Sequence, residues 1–245
     1  PFTDPPNSST APLDKIFPPT NASALTKVPD QRWQIFPAQP EEVAQIAQAT
    51  ELSPLLAQVL LNRGICTPEQ ATVFLRPETQ ELPSPLEAFE DLPLSLEFLI
   101  NAINQNQAIA ICGDYDADGM TSTALLIRAL RALGARVDYA IPSRMSEGYG
   151  INQRIVEEFY EEGVQVILTV DNGIAAHQPI ARARELGMHI IVTDHHDLPP
   201  VLPNASAILN PKQLPEWSPY RGLAGVGVAY ILAISLAQSL GKAQG

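Results

Sequence analysis

The segment GDYDADGMTS, at 113–122, is the first stretch of this sequence whose residues could do chemistry. It carries three carboxylates on alternate positions, Asp114, Asp116 and Asp118, directly after an apolar run. Carboxylates this close repel one another unless a cation neutralises them, and Mg²⁺ and Mn²⁺ prefer oxygen ligands. The segment therefore predicts a divalent metal site. Two alternatives stay open from this segment alone: an acidic turn that caps a helix beginning at Thr121, and a calcium loop, which the absence of Glu at the twelfth position disfavours.

Two more polar segments follow apolar runs. The string TVDNGI contains Asp171, whose two oxygens could bridge two cations, although the same string could be a simple turn that starts a helix. The string VTDHHD contains Asp194, His195 and His196. Adjacent histidines point in different directions, so one could bind a metal while the other, or Asp194, orients it or contacts phosphate. A single histidine here would more often be structural.

The elements that must position these residues show the alternation of a βαβ fold. Short apolar runs alternate with helix-length segments, which is typical of a parallel sheet flanked by helices. We therefore predict an α/β, Rossmann-like fold, in which the carboxyl ends of the strands share one crevice and can bring the acidic segments together. The predicted strands are 108–112, 136–141, 164–170, 189–194 and 206–210, and the predicted helices are 121–134, 151–162, 175–187 and 224–240.

The part of the chain before this pattern predicts two further regions. Residues 1–30 are rich in Pro and Ser and lack periodicity, so we expect a flexible tail. Residues 31–105 have helical spacing, with helix starts expected at Ser53 and Thr67, and form a predicted helical lead-in module. The catalytic domain is then expected at 106–245.

Composition limits the setting of the protein. A formal net charge of -12 counts against a nucleic-acid-binding surface. A cluster of metal-binding carboxylates accounts for part of that charge, since it stays acidic until its cations arrive. The two cysteines, Cys66 and Cys112, form neither a zinc motif nor a disulfide framework. A reducing, cytoplasmic setting is the resulting expectation, without a membrane span or a secretory signal.

The combination of segments resembles the DHH phosphoesterase superfamily. DHH at 194–196, preceded by DAD at 116–118 and DNG at 171–173, carries this likeness. The longer strings GDYDADGMTS, TVDNGI, VTDHH, ILNPK and LAGVGVAY resemble its RecJ branch and run in the expected order from about 108 to 230. The RecJ branch consists of exonucleases specific for single-stranded DNA.

The resemblance implies roles for individual residues. Two ions, Mn²⁺ or Mg²⁺, would be held by four side chains, with Asp171 as the bridging ligand. Asp114 would join them, Asp194 would support the histidines, and His196 would contact the scissile phosphate. The four implied metal ligands are Asp116, Asp118, Asp171 and His195.

Two loops outside these motifs add further expectations. The loop RMSEGYG offers Arg144 to a phosphate and Tyr149 to a base, and it resembles the RecJ loop that holds the 5′ end of the strand. An ordinary glycine-rich turn is the alternative. The pair Gly225 and Gly227 lacks the third glycine of a dinucleotide fingerprint and predicts close helix packing.

The implied activity is hydrolysis of single-stranded DNA from the 5′ end, by in-line attack of a metal-activated water and without a covalent intermediate, during recombination and repair. Single-stranded DNA is the implied partner, with a single-strand-binding protein or a helicase as candidate protein partners. Alternatives are a phosphoesterase for pyrophosphate, oligonucleotides or cyclic dinucleotides, and a catalytically inactive scaffold.

The sequence departs from the family pattern at two places. Cys112 occupies the position where some relatives have a metal-binding His, and a thiol suits Mg²⁺ or Mn²⁺ poorly. The last metal-binding Asp of the family is expected beyond Tyr230, and the sequence has no candidate there. We therefore expect that ligand beyond residue 245, followed by a DHHA1-type domain and an OB-like domain. These 245 residues alone are expected to fold without necessarily being active.

Overall fold

The computed structural model describes residues 35–143 and 145–243. The expected flexible tail at 1–30 and the expected phosphate-binding Arg144 lie outside these residues. The chain divides into two compact units, one up to Gln80 and one from Glu81 onward.

The first unit is a group of short helices around a small apolar core. The expected helix starts are confirmed: the Ser53 hydroxyl accepts the amide of Leu56, and Thr67 forms a reciprocal capping box with Gln70. Six buried residues fill the core: Val43, Ile46, Ala57, Leu60, Leu61 and Ala71. The elements are α1 (Pro40–Thr50), α2 (Pro54–Asn62), α3 (Pro68–Leu75) and a 3-10 turn (Pro77–Thr79).

The second unit is built on a five-stranded sheet, and every adjacent pair of strands is parallel. The strand order β2-β1-β3-β4-β5 confirms the α/β, Rossmann-like fold predicted from the sequence. The elements are α4 (Pro85–Ala88), α5 (Leu92–Asn104), β1 (Ala108–Cys112), α6 (Ala117–Ala132), β2 (Arg136–Ala140), α7 (Gln153–Glu161), β3 (Val164–Val170), α8 (His177–Glu185), β4 (His189–Thr193), β5 (Ala207–Leu209), a 3-10 turn (Pro211–Gln213) and α9 (Gly225–Ser239).

Alternate residues of the strands pack against opposite layers of helices. Ile109 and Ile111 of β1 face the layer formed by α5, α6 and α9, while Ala110 and Cys112 face the layer formed by α7 and α8. The sheet is thus covered on both faces, which explains why its strands read as continuous apolar runs. Among the described residues, no helix has the length and hydrophobicity to cross a membrane.

The helix α5 belongs to the sheet unit, although the sequence placed it in a lead-in module ending at 105. Leu92, Leu99 and Ala102 are fully buried in the same cluster as the strands and α9. The carboxylate of Asp91, just before the helix, accepts the backbone amide of Ile208 at 2.8 Å. The observed division therefore falls after Gln80, because α5 buries its apolar face on the sheet.

The carboxyl ends of β1, β3 and β4 lie side by side at one edge of the sheet. The helix α6, which follows β1, begins at Ala117, four residues earlier than expected, because Asp116 caps it by accepting the amide of Gly119 at 2.9 Å. The acidic segment after β1 is consequently part turn and part first helical turn. It faces the residues that follow β3 and β4.

Candidate metal centre

A first group of carboxylates forms where β1 and β3 end. Asp114, Asp116 and Asp171 offer oxygens that all lie within 4.8 Å of one another. Opposite ligands of one six-coordinate Mg²⁺ lie about 4.2 Å apart, so this spacing suits a shared cation. Gly119 permits the close approach, since a Cβ there would lie 2.5 Å from the Asp114 Cβ. A larger residue would push Asp114 away from its partners.

The turn that presents Asp171 has an unusual backbone. Its φ of 61° lies in the left-handed region, which costs a non-glycine residue about 1 kcal/mol or more unless neighbouring contacts hold it. The amide of Asp171 donates to the Thr193 carbonyl at 2.9 Å. The buried side chain of Asn172 donates to the carbonyls of Cys112 and Val170, at 3.0 and 2.9 Å. These bonds tie the turn to β1 and β4 and fix where the carboxylate points.

The loop after β2 holds the same turn from the other side. The Tyr149 hydroxyl donates to the Asp171 carbonyl at 2.6 Å, and the Ile151 amide donates to the Asn172 side chain at 3.1 Å. Gly150, with a φ of 70°, lies so close that a Cβ would be 3.0 Å from the Asn172 Cβ. Burial, followed by the charges of Asp194 and Asp171, raises the pKa of Tyr149, so its hydroxyl stays a donor. A DNA contact by Tyr149 stays a prediction.

The buried carboxylate of Asp194 organises the two histidines. Its Oδ1 accepts the backbone amides of His195 and His196, at 2.7 and 3.1 Å, and lies 2.7 Å from the His196 Nδ1. Its Oδ2 accepts the amide of Ile174 at 2.9 Å. Both oxygens are therefore engaged in positioning the histidines and the Ile174 amide, and a role for Asp194 in supporting metal ligands stays a prediction.

His195 and His196 form a second group with Asp171. The His195 Nε2 lies 2.9 Å from the Asp171 Oδ1, and one ring nitrogen of each histidine lies within 4.8 Å of that carboxylate. Asp171 thus belongs to both groups, which is the position required of a ligand that bridges two cations. Imidazole nitrogens beside carboxylate oxygens make a donor set suited to Mn²⁺.

Asp118 lies beside these groups without belonging to either. Its carboxylate accepts the first amides of α9, from Gly225 at 2.7 Å and Val226 at 2.8 Å, and its Oδ2 lies 3.4 Å from the His195 Nε2. Each carboxylate oxygen can accept more than one bond, so the α9 amides leave it able to ligate. A Cβ on Gly225 would lie 3.0 Å from the Asp118 Oδ2 and 3.1 Å from the Asp171 Cβ. Gly225 therefore packs directly against the side chains of Asp118 and Asp171.

The electrostatics of the centre favour a cation. Burial, followed by the charges of Asp118 and Asp116, raises the pKa of Asp171 to about 7. The buried Asp171 Oδ1 lies 2.9 Å from the His195 Nε2, but no described residue donates to it with good hydrogen-bond geometry. A divalent cation would satisfy this oxygen and neutralise the cluster, so the residues present fit Mg²⁺ or Mn²⁺.

Cys112 is directed away from this chemistry. Its side chain is fully buried and packs in the apolar layer with α7 and α8. Burial, followed by the charge of Asp114, raises the pKa of the thiol to about 12. The thiol stays protonated at neutral pH and belongs to neither of the two groups found among the described residues.

The structure brings together most of the residues expected from the sequence. The sequence did not predict two parts of the site, the Asn172 side chain and the first amides of α9. Asn172 lies in the string DNG and could have been found there, whereas a backbone amide leaves no signal in a sequence. Five expected residues form the two groups, Asp114, Asp116, Asp171, His195 and His196; Asp118 and Asp194 adjoin them, Tyr149 contacts the Asp171 backbone, and Arg144 lies outside the described residues.

The relatives found by sequence comparison are exonucleases that carry the same name. The chain is 40% identical over 205 residues to the single-stranded-DNA-specific exonuclease RecJ of Bacillus subtilis, covering 84% of this chain and 26% of the relative. It is 37% identical over 207 residues to RecJ of Escherichia coli, covering 84% and 35%. The chain thus spans about a quarter to a third of the length of these relatives.

A solved structure and a family model agree with these relatives. The crystal structure of RecJ in complex with Mn²⁺ from Thermus thermophilus matches with a TM-score of 0.64 and 31% identity, over 83% of this chain and 28% of that one. The model of the DHH family, N-terminal domain, matches residues 108–244, which contain the sheet and both candidate ligand groups. This chain therefore belongs to the DHH family.

Proposed function

We propose that this chain carries part of the active site of a phosphodiesterase that depends on Mn²⁺ or Mg²⁺ and hydrolyses single-stranded DNA from the 5′ end. One observation carries the proposal: two clusters of potential ligands share the Asp171 carboxylate at the carboxyl edge of a parallel sheet. A pair of divalent ions bound there would supply water activation and stabilise the charge that develops at the phosphodiester. The side chains determine where that chemistry takes place.

The proposed ligands are held in place by hydrogen bonds within the protein. Asp171 would join both sites, with Asp116 and Asp114 on one side and His195 on the other. Asp118 would complete the set, with its carboxylate already aimed by the α9 amides. Ligands fixed in advance lose little conformational freedom when ions bind, and this raises affinity.

His196 is the proposed contact to the scissile phosphate. Burial lowers its pKa, but the hydrogen bond and charge of Asp194, with the charge of Asp171, outweigh this and raise it above the usual value. An imidazole that carries its proton more readily is a better donor to a phosphate oxygen. Its side chain is 48% exposed, so a substrate can reach it.

The substrate proposal rests on the relatives, whose names specify single-stranded DNA. Digestion from the 5′ end, a role in recombination and repair, a single-strand-binding protein or helicase as partner, and contacts from Arg144 and Tyr149 stay predictions from the sequence. A cytoplasmic location has the support of two free thiols, Cys66 and Cys112.

The charge of the molecule favours a second candidate, a phosphoesterase for a small substrate. The formal net charge is -12, and among the described residues no Lys or Arg lines the cavity beside the centre. Long DNA needs cations along its path, whereas pyrophosphate or a short oligonucleotide needs only the metal ions. Basic residues elsewhere in the natural protein would remove this objection.

Substrate comparison with the full natural protein tests both candidates. Single strands labelled at the 5′ or 3′ end, duplex DNA, cyclic dinucleotides and pyrophosphate are incubated with Mn²⁺, Mg²⁺ or EDTA. We expect metal-dependent release of labelled mononucleotide from the 5′-labelled single strand. Asp171→Asn should abolish it, while Asp138→Asn, at an exposed carboxylate of β2, should retain it. Hydrolysis of pyrophosphate or dinucleotides without DNA cleavage would establish the small-substrate enzyme instead, and activity that persists in Asp171→Asn would refute the metal site.

A further inference from the structure

A cavity of about 640 Å³ opens beside the proposed metal centre. It lies between the loop 149–151, the segment 173–179 that leads into α8, and the turn that contains Asp194 and His196. Its volume lies within the range of pockets that take small organic molecules. The residues proposed as ligands on the other side of the centre, Asp114 and Asp116, do not line it. The cavity is therefore a neighbouring compartment and not the metal site itself.

The cavity and the metal centre share His196 and Asp194. Both residues line the cavity, while a ring nitrogen of His196 also lies among the second group of candidate ligands. A phosphodiester held at the metal centre would thus have one of its two substituents beside this opening. In DNA each substituent is a nucleoside.

The lining of the cavity suits an uncharged ring system. Ile174, Ala175 and Pro179 supply apolar surface, and the exposed His177 and Gln178 supply a ring face and an amide in the first turn of α8. No Lys or Arg lines it among the described residues; of its two carboxylates, Asp194 accepts backbone amides and Asp197 pairs with Lys212. A base and its sugar would bury apolar surface there and find hydrogen-bonding partners.

We propose that this cavity binds the sugar and base of the nucleotide next to the scissile phosphate. The inference rests on the proposed phosphodiesterase function and adds to it a site for the neutral part of the substrate. His177 stacks on the base, Gln178 bonds to its edge, and the walls at Ala175 and Pro179 limit the occupant to one nucleoside. Contacts of this kind tolerate different bases because every base has a face to stack on.

The test fills the cavity without touching the metal ligands. Ala175 is exposed, so Ala175→Trp places an indole at the cavity wall with little effect on the core. Ala132→Trp, at an exposed position near the end of α6, is the matched control. The full natural protein of each variant cleaves an oligothymidylate and a strand of equal length whose residues at the cleaved end are tetrahydrofuran units, which keep the sugar ring and lack the base. The KM and kcat are measured for each strand with Mn²⁺.

We expect Ala175→Trp to raise the KM for oligothymidylate about tenfold or more, with less than a twofold change for the tetrahydrofuran strand and for thermal stabilisation by Mn²⁺. His177→Ala should give a smaller change in the same direction. Equal losses on both strands, or no loss on either, would overturn the nucleoside site. Should the unaltered protein bind Mn²⁺ but cleave only oligothymidylate, a KM unchanged in Ala175→Trp would overturn it as well. Failure of the unaltered protein to cleave any phosphodiester would instead remove the proposed function, and this inference with it.

Discussion

Replacing Asp171 by Asn should stabilise the metal-free protein at alkaline pH and abolish its response to metal. The side chain is 1% exposed, and its pKa is raised from 3.8 to about 7 when the protein folds. The folded protein holds the proton of this carboxyl more tightly than the unfolded chain does. The stability of the folded protein is therefore greatest below the unfolded pKa, and part of it is lost as the pH rises from there through the folded pKa. Asn has the same shape without the charge.

The expected magnitude follows from the two pKa values. The raised pKa of Asp171 costs the folded protein about 4 kcal/mol at pH 8, where the carboxyl is ionised, and roughly 2 kcal/mol at pH 5.5, where it must keep a proton that the unfolded chain releases; both costs are relative to a residue that does not titrate. Any constant cost of fitting an amide into the site is the same at both pH values. The difference in unfolding free energy between Asp171→Asn and the unaltered protein should therefore shift by about 2 kcal/mol in favour of the variant from pH 5.5 to pH 8.

Chemical unfolding with EDTA at the two pH values measures this shift, and Asp138→Asn serves as the control because its carboxylate is exposed. At pH 8, Mn²⁺ at one hundred times its dissociation constant should stabilise the unaltered protein by about 2.7 kcal/mol and the Asp171 variant by much less. A difference between Asp171→Asn and the unaltered protein that does not change with pH, or an equal response of both to Mn²⁺, would refute the account of Asp171 as a buried carboxylate awaiting a cation.

Three further predictions concern the surroundings of the centre. Tyr149→Phe removes one hydrogen bond to the turn that carries Asp171, worth about 1 kcal/mol, so the Mn²⁺ affinity measured by titration should fall about fivefold. An unchanged Mn²⁺ affinity would show that the turn keeps its conformation without this bond. Gly225→Ala should weaken Mn²⁺ binding about tenfold because its methyl group meets the carboxylates, while Gly227→Ala, which meets only a leucine side chain, should not; equal effects would contradict this packing. An aromatic disulfide reagent at pH 8 should modify only the exposed Cys66 in the folded protein and both thiols after unfolding, because burial raises the pKa of Cys112 to about 12. Rapid reaction of both thiols in the folded protein would contradict the burial of Cys112.

The sequence by itself determined the sheet and the chemical character of the site. Apolar runs of strand length, each followed by a polar segment, predicted β1, β3 and β4 to within one residue at their carboxyl ends. Parallel strands align those ends, so the convergence of Asp116, Asp171 and His195 at one edge followed from periodicity and residue type alone. These features are local or depend only on the class of fold.

Only the tertiary structure decided how that site is held. Asp118 accepts amides from residues more than one hundred positions later in the chain, and Tyr149 donates to a carbonyl 22 positions later. The helix α5 likewise belongs to the sheet unit because its apolar face packs against the strands and α9. The sequence shows that the face is apolar but not what it packs against. A sequence shows which side chains can donate, accept or be buried, but every residue except proline has the same backbone groups, and their partners are set by the packing of distant elements.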